Sequence, residues 1–175
     1  MSAQIVNVVI KGISPLLMHA YPMLKIEALE KRSAEEQAEH AAYRDPEGYL
    51  YIPGINIQRA LIAAASFSKG KGRATLQKQV AACVQIRPER CSLGVKDYLI
   101  DSRWAVIPST GARILRHRPR LEEWKVGFEI EYDDVLLKES ELRKIVDDAG
   151  SRVGILDFRP ERKGPFGRFI VVDWN

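Results

Sequence analysis

Arginine, lysine and glycine are the residues whose types and spacing in this chain come nearest to chemistry. In residues 153–169, VGILDFRPERKGPFGRF, four cations (Arg159, Arg162, Lys163 and Arg168) share one loop with Gly164 and Gly167. Guanidinium forks and backbone N–H groups both suit phosphate oxygens. Glycine lets a backbone come close to another chain or to a phosphate. On that reading a side chain at 164 or 167 collides with a bound strand, and Gly167→Val weakens binding with only a modest change in stability. A surface hairpin turn with solvated charges fits the same residues equally well. A second segment, residues 50–61 (LYIPGINIQRAL), reads as a strand entering a helix opened by Pro53, where the missing N–H is tolerated. Such a helix start can take an anion.

Acid–base chemistry has two weak candidates, His19 just after the first strand and Asp101 further on. Their plain alternatives are an exposed loop histidine and a salt bridge from Asp101 to Arg103. His19, His40 and His117 lie too far apart for metal-ligand spacing, and Cys83 and Cys91 form no CxxC pair. Both cysteines read as reduced thiols of a cytoplasmic protein. There is no GxxxxGK[ST] and no GxSxG. Asp147 and Asp148, at a helix C-terminus where the dipole disfavours them, raise a metal hypothesis against a solvated acidic end. The balance points to a binding protein rather than an enzyme, with no metal and no cofactor.

Charge supports a polyanionic partner. The net +4 is unevenly spread: residues 68–120 carry 12 basic and 3 acidic side chains, whereas residues 121–151 carry 4 and 10. Such clustering says more about partners than the mean does. Lys69, Lys71, Arg73 and Lys78 mark a basic loop at 68–79. Arg103, Arg113, Arg116, His117, Arg118 and Arg120 mark a basic stretch at 88–120. The acidic block of one copy can meet the basic block of another head to tail, a contact that need not close and so can build a filament. No apolar run approaches the ~20 residues of a membrane helix, and the first ten residues read as a strand rather than a leader.

The elements that must position these residues follow from periodicity. Residues 3–13 read as a buried central strand. Ser33 with Glu36 forms a capping box for a helix to about Tyr43. Tyr49–Ile52 is a short strand, and the helix after Pro53 has a stripe of Ile57, Leu61, Ala64 and Ala65. Val80–Ile86 reads as a strand. Ile100–Ile107 and Ala112–His117 form a hairpin around residues 108–111. Residues 124–132 alternate cleanly as a strand. A helix bearing Leu142, Ile145, Val146 and Ala149 follows, stopped by Gly150. Val153–Leu156 and Arg168–Val172 are short strands around the loop 157–167. Without insertions the order is βαββαβ, an α+β ferredoxin-like or RRM-like domain spanning residues 1–175. There is no RNP-type aromatic motif, and Glu129 and Glu131 on the polar face of strand 124–132 disfavour phosphate across the open sheet.

Together the segments IPGINIQRALIA and VGILDFRPERKGPFGRF resemble the RAMP superfamily of repeat-associated proteins, which includes the backbone subunits of CRISPR effector complexes. The resemblance covers about half the chain: the first strand, residues 50–65 and residues 152–172. It implies an RRM-like palm that binds single-stranded RNA, or single-stranded DNA, along its loops. It also implies an inserted hairpin, or thumb, in 88–120 that wedges the strand and touches the next subunit. The chain is short for that family, as a minimal or phage-borne relative would be. Some members are metal-independent endoribonucleases using a histidine or a loop aspartate, roles that would fall to His19 or Asp101. An assembly protein whose charges serve only subunit contacts is the remaining alternative.

Overall fold

The computed structural model describes residues 3–21 and 23–175, and within them the chain is α+β. Strand β1 (Ala3–Gly12) runs through the middle of a four-stranded antiparallel sheet with β4 (Val84–Arg87), β8 (Lys125–Asp133) and β9 (Phe169–Trp174), in the order β4-β8-β1-β9. β1 is central, as its composition suggests, but only one of its faces is covered. Val6, Val8 and Ile10 are buried whereas Ile5 is 57% exposed. Its apolar residues overfill a one-sided strand.

The covered face packs against α3 (Gly54–Ala64), α4 (Gln77–Cys83) and α5 (Glu139–Asp148). Ile57 and Leu61 of α3 and Leu142, Ile145 and Val146 of α5 meet Val126, Phe128 and Ile130 of β8 in one apolar cluster. Two assignments move. Residues 80–83 are the end of α4, not the start of a strand: Gln77–Cys83 is rich in good helix formers, and the one-sided alternation begins only at Val84 and Ile86. Val153–Leu156 is not a strand. The chain leaves α5 through a wider π-type turn, Ala149–Val153, and stops at Gly154 with φ +72°. Gly150 is therefore no helix stop; a Cβ there would lie 2.2 Å from the Phe169 carbonyl oxygen, so the glycine lets this turn sit against β9.

A second sheet carries the basic hairpin. β2 (Leu16–Leu17) pairs with β7 (Arg113–Leu121), which pairs with β6 (Leu99–Val106). The turn falls at residues 108–111, closed by a 2.8 Å bond from the Gly111 N–H to the Ile107 carbonyl. Helix α1 is Ile26–Glu30, and α2 (Ala34–Ala41) lies against β7. Half of the capping box forms: the Ser33 hydroxyl accepts from the Glu36 N–H at 3.2 Å, while the Glu36 carboxylate turns to Arg32 at 3.7 Å. The insertion does not all belong to the hairpin. Its start, β5 (Arg90–Ser92), pairs with β3 (Tyr51–Pro53) and holds the entrance of α3. Cys83 and Cys91 are both free thiols. Among the described residues no helix is long and apolar enough to cross a membrane.

Candidate nucleic-acid interface

The two segments that carry the family resemblance meet in space. Asn56 and Arg59, three apart and so on one side of the first turns of α3, line a cleft of about 430 Å³. Arg159, Glu161 and Arg162 of the Gly-rich loop line it from across, with His19 and Asp157 between them. Tyr43 adds a half-buried ring; burial pushes its phenol above the ordinary range. Arg59 and Arg162 are exposed, and neither has an ion-pair partner among the described residues. Arg159 differs: Nε and Nη2 both donate to Glu161, at 2.9 and 2.6 Å, and Nη1 donates to the Leu156 carbonyl at 2.9 Å. It shapes the loop rather than standing ready for a ligand.

The loop is tightly wound on itself. Leu156, Phe158 and Lys163 all have positive φ, at 61°, 48° and 63°, a conformation that costs non-glycine residues on the order of 1 kcal/mol or more each. The glycines serve this winding. A Cβ on Gly164 would fall on the Phe158 carbonyl, and one on Gly167 would lie 2.0 Å from the Ile155 carbonyl oxygen, at φ +74°. The room that Gly164 and Gly167 leave is thus filled by the loop's own backbone, and Gly167 is buried. The expectation of a surface glycine that clears space for a strand is corrected accordingly.

Asp157 is the hinge of the site. Its N–H donates to the Leu17 carbonyl at 3.0 Å, its carboxylate takes a hydrogen bond from buried Arg118 of β7, and His19 Nδ1 stands 3.5 Å away. Burial works to raise its pKa, but the His19 hydrogen bond and the Arg118 charge prevail and hold it below the usual carboxylate value.

The hairpin has two unlike faces, set by register. One carries Asp101 opposite Arg118, Arg103 opposite Arg116 and Leu99 opposite Arg120. Asp101 is buried, receives Arg103 Nε at 2.7 Å and Arg120 Nη1 at 3.2 Å, and is held below its ordinary pKa by these contacts against the opposing effect of burial. Arg103 and Arg120 also lie over the ring of buried Phe166, at 4.8 and 5.4 Å. Arg103, Arg118 and Arg120 therefore fasten the hairpin to the Gly-rich loop, and Asp101 is the salt-bridge partner of Arg103. Arg113 and Arg116 have no ion pair among the described residues. On the other face Ser102 bonds His117 Nδ1 at 2.7 Å, and Trp104, 69% exposed, stands opposite Leu115.

The remaining cations lie elsewhere. Lys69, Lys71 and Arg73 are exposed in the loop beyond the C-terminal end of α3, and Lys78 lies on α4. Only the last five residues of α3, about 8 Å of helix beyond Arg59, lie between the cleft and the start of that stretch. Lys163 and Arg168 are exposed on the Gly-rich loop outside the cleft lining. Asp147 pairs with Arg143 at 3.2 Å, and Asp148 with Lys144 at 2.6 Å and Arg152 at 3.2 Å. Among the described residues no three His, Cys, Asp or Glu side chains gather as a metal-ligand set. Sequence reasoning missed Arg59, Asn56, Asp157 and Trp104 as site residues. Arg59 and Asn56 had a signal in their helical spacing, and Trp104 in the alternation of β6. Asp157 had none, because its partners come from residues 19 and 118. No protein-family model and no curated protein matches the chain.

Proposed function

We propose that this protein binds single-stranded nucleic acid, RNA in preference to DNA, as a RAMP-like backbone subunit built on a ferredoxin-like palm. The observation that carries the reading is the cleft in which Asn56 and Arg59 of one family-like segment face Arg162 of the other, with two guanidinium groups unpaired among the described residues. Unpaired guanidiniums across a polar cleft suit successive phosphates of one strand. The strand order β4-β8-β1-β9, with helices after the first and third of these strands in chain order, supports the ferredoxin-like reading of the palm. Trp104, Val106 and Leu115, exposed on the hairpin, support a thumb that reaches a neighbouring copy.

The deciding experiment is absorbance at 260 and 280 nm of the purified protein, nuclease digestion of whatever copurifies, and titration of labelled single-stranded RNA and DNA. Short regular protected fragments and RNA affinity lost in Arg59→Gln/Arg162→Gln support the proposal. Protein free of nucleic acid, with no affinity for either strand, leaves the assembly reading.

The His19–Asp157 contact favours a second reading, metal-independent RNA cleavage. Asp157 bonded at Nδ1 would fix the imidazole tautomer and leave Nε2 as base. The base would take the 2′-hydroxyl proton, the 2′-oxygen would attack phosphorus, and the P–O5′ bond would break as the 5′-oxygen takes a proton from solvent water, giving a 2′,3′-cyclic phosphate and a 5′-hydroxyl end. Cleavage of labelled RNA by wild type in chelator, absent in His19→Ala, would establish it. Intact RNA with both proteins would dismiss it.

A further inference from the structure

The face of the main sheet that no helix covers is divided by charge along its length. At one end, Glu131 is paired with Arg87 at 2.9 Å. Asp173 lies nearer the lysines, opposite Val9 and two residues from the level of Lys11, and accepts from the Trp174 N–H at 3.0 Å and the Asn175 amide at 2.9 Å. These carboxylates are satisfied within the chain.

The other end is not. Lys11 and Lys125 stand directly opposite each other in the β1–β8 ladder. The Gly12 N–H donates to the Trp124 carbonyl at 3.0 Å, which makes 12/124 a hydrogen-bonded pair and 11/125 the narrow pair between such bonds. Facing side chains come closest at a narrow pair, and like charges there destabilise a sheet. Both lysines are exposed, and neither ammonium has a partner among the described residues. Arg168 joins them. Its carbonyl accepts from the Ile13 N–H at 2.9 Å and its N–H donates to Ser14 Oγ at 3.0 Å. It lies two residues before Ile170, the register partner of Lys11, and so shares that face. Its guanidinium too has no partner among the described residues. Gly127, the next residue along β8 on this face, leaves backbone open beside the lysines.

Two ammonium groups held opposite each other do nothing for the fold, whereas an anion between them turns repulsion into charge-assisted contacts. We infer that the Lys11–Lys125–Arg168 end of the open sheet face is a second phosphate-binding site, taking a phosphodiester of the same strand that occupies the cleft. The inference rests on the proposed function. The Gly-rich loop joins the two places: Arg162 lines the cleft and Arg168 reaches the sheet. The bound strand passes around this loop. Only the basic end of the sheet is used: Glu129 lies four residues along β8, about 13 Å away, and the nearer carboxylate, Asp173, is already held by the Trp174 N–H and the Asn175 amide.

The test compares wild type, Lys11→Gln/Lys125→Gln and Arg59→Gln/Arg162→Gln, titrated with labelled oligouridylate across a salt series. Each lost contact to a single strand removes about 0.7 from the slope of log K against log salt, which is about 5-fold in affinity at 0.1 M. The lysine double variant should therefore bind about 25-fold more weakly with a slope shallower by about 1.4. A separate variant, Lys125→Glu, should raise the Tm by about 1–3 °C, because it replaces repulsion by a cross-strand ion pair, while it lowers affinity. A lysine double variant with wild-type affinity and slope, alongside a weakened arginine variant, overturns the sheet site and leaves the cleft. A loss of Tm in step with affinity assigns the lysines to the fold and overturns it as well. A wild type with no affinity for any single strand overturns both the site and the reading beneath it.

Discussion

Replacing Gly167 by alanine should unfold the Gly-rich loop before it touches any ligand. The glycine sits at φ +74°, where an L side chain costs about 1–2 kcal/mol. Its new Cβ would lie 2.0 Å from the Ile155 carbonyl oxygen, so that carbonyl must move by more than an ångström. Two backbone hydrogen bonds depend on the present arrangement: Gly167 N–H to the Pro15 carbonyl at 2.8 Å and Ile155 N–H to the Gly167 carbonyl at 3.0 Å. Losing both adds about 2 kcal/mol. The sum, about 3–4 kcal/mol, corresponds to a fall in Tm on the order of 10 °C for a chain of this size. Thermal unfolding followed by circular dichroism, with a binding titration on the same sample kept well below the transition, gives the readout. Stability and binding should fall together as the folded fraction falls. Gly167→Ala with a wild-type Tm would refute the close packing on which this reasoning stands, and a folded variant with selective loss of affinity would return the glycine to the binding surface.

Arg118→Met should destabilise by about 2–3 kcal/mol, since it strands the part-buried Asp157 carboxylate with His19 alone; urea denaturation measures it, and Arg118→Met/Asp157→Asn should recover part of the loss. Asp101 and Asp157 are both held below their ordinary 3.8 in the folded protein, so their stabilisation is complete above that value and fades as pH falls through their lower folded values. Unfolding free energy measured by urea between pH 2.5 and 6 should drop at the acid end, and Asp101→Asn/Asp157→Asn should flatten that drop. Arg113→Gln/Arg116→Gln should leave stability within about 0.5 kcal/mol, because neither residue has an ion pair among the described residues, and should lower the salt slope of RNA binding. Arg103→Gln/Arg120→Gln should do the reverse, lowering Tm by freeing Phe166 and Asp101.

The hairpin shows why a count of cations overstates a binding surface. Its arginines look equivalent along the chain, yet β6–β7 pairing sorts them by face and by neighbour. Those aimed at the Gly-rich loop neutralise Asp101 and Asp157 and stack on Phe166. Their charges are spent on holding the hairpin against that loop. What remains for a partner is differently placed: Arg59 and Arg162 in the cleft, Lys11, Lys125 and Arg168 at the end of the open sheet face, Arg113 and Arg116 on the hairpin, and the exposed loop at Lys69, Lys71 and Arg73.

Local periodicity was enough for the parts whose physics is local. Alternation in Lys125–Asp133 specified β8, the apolar stripe through Ile57 and Leu61 specified α3, and the Pro-Ser-Thr-Gly turn with flanking alternation specified the β6–β7 hairpin. Periodicity failed where a segment's state depends on what covers it. Residues 80–83 and 153–156 are short apolar runs that a strand or a helix could bury, and packing against the sheet made one a helix end and the other a turn and loop. The same holds for the site. Residue types in the chain named the cations, but a guanidinium is free or engaged only according to its neighbours, and the neighbours that tie the hairpin to the loop are distant in sequence: Asp157 for Arg118, Phe166 for Arg103. Gly167 makes the point most sharply. Its composition-level meaning, freedom at positive φ, was legible from the start, but whether the space it leaves is taken by a ligand or by Ile155 was decided by the winding of the loop, which no single segment encodes.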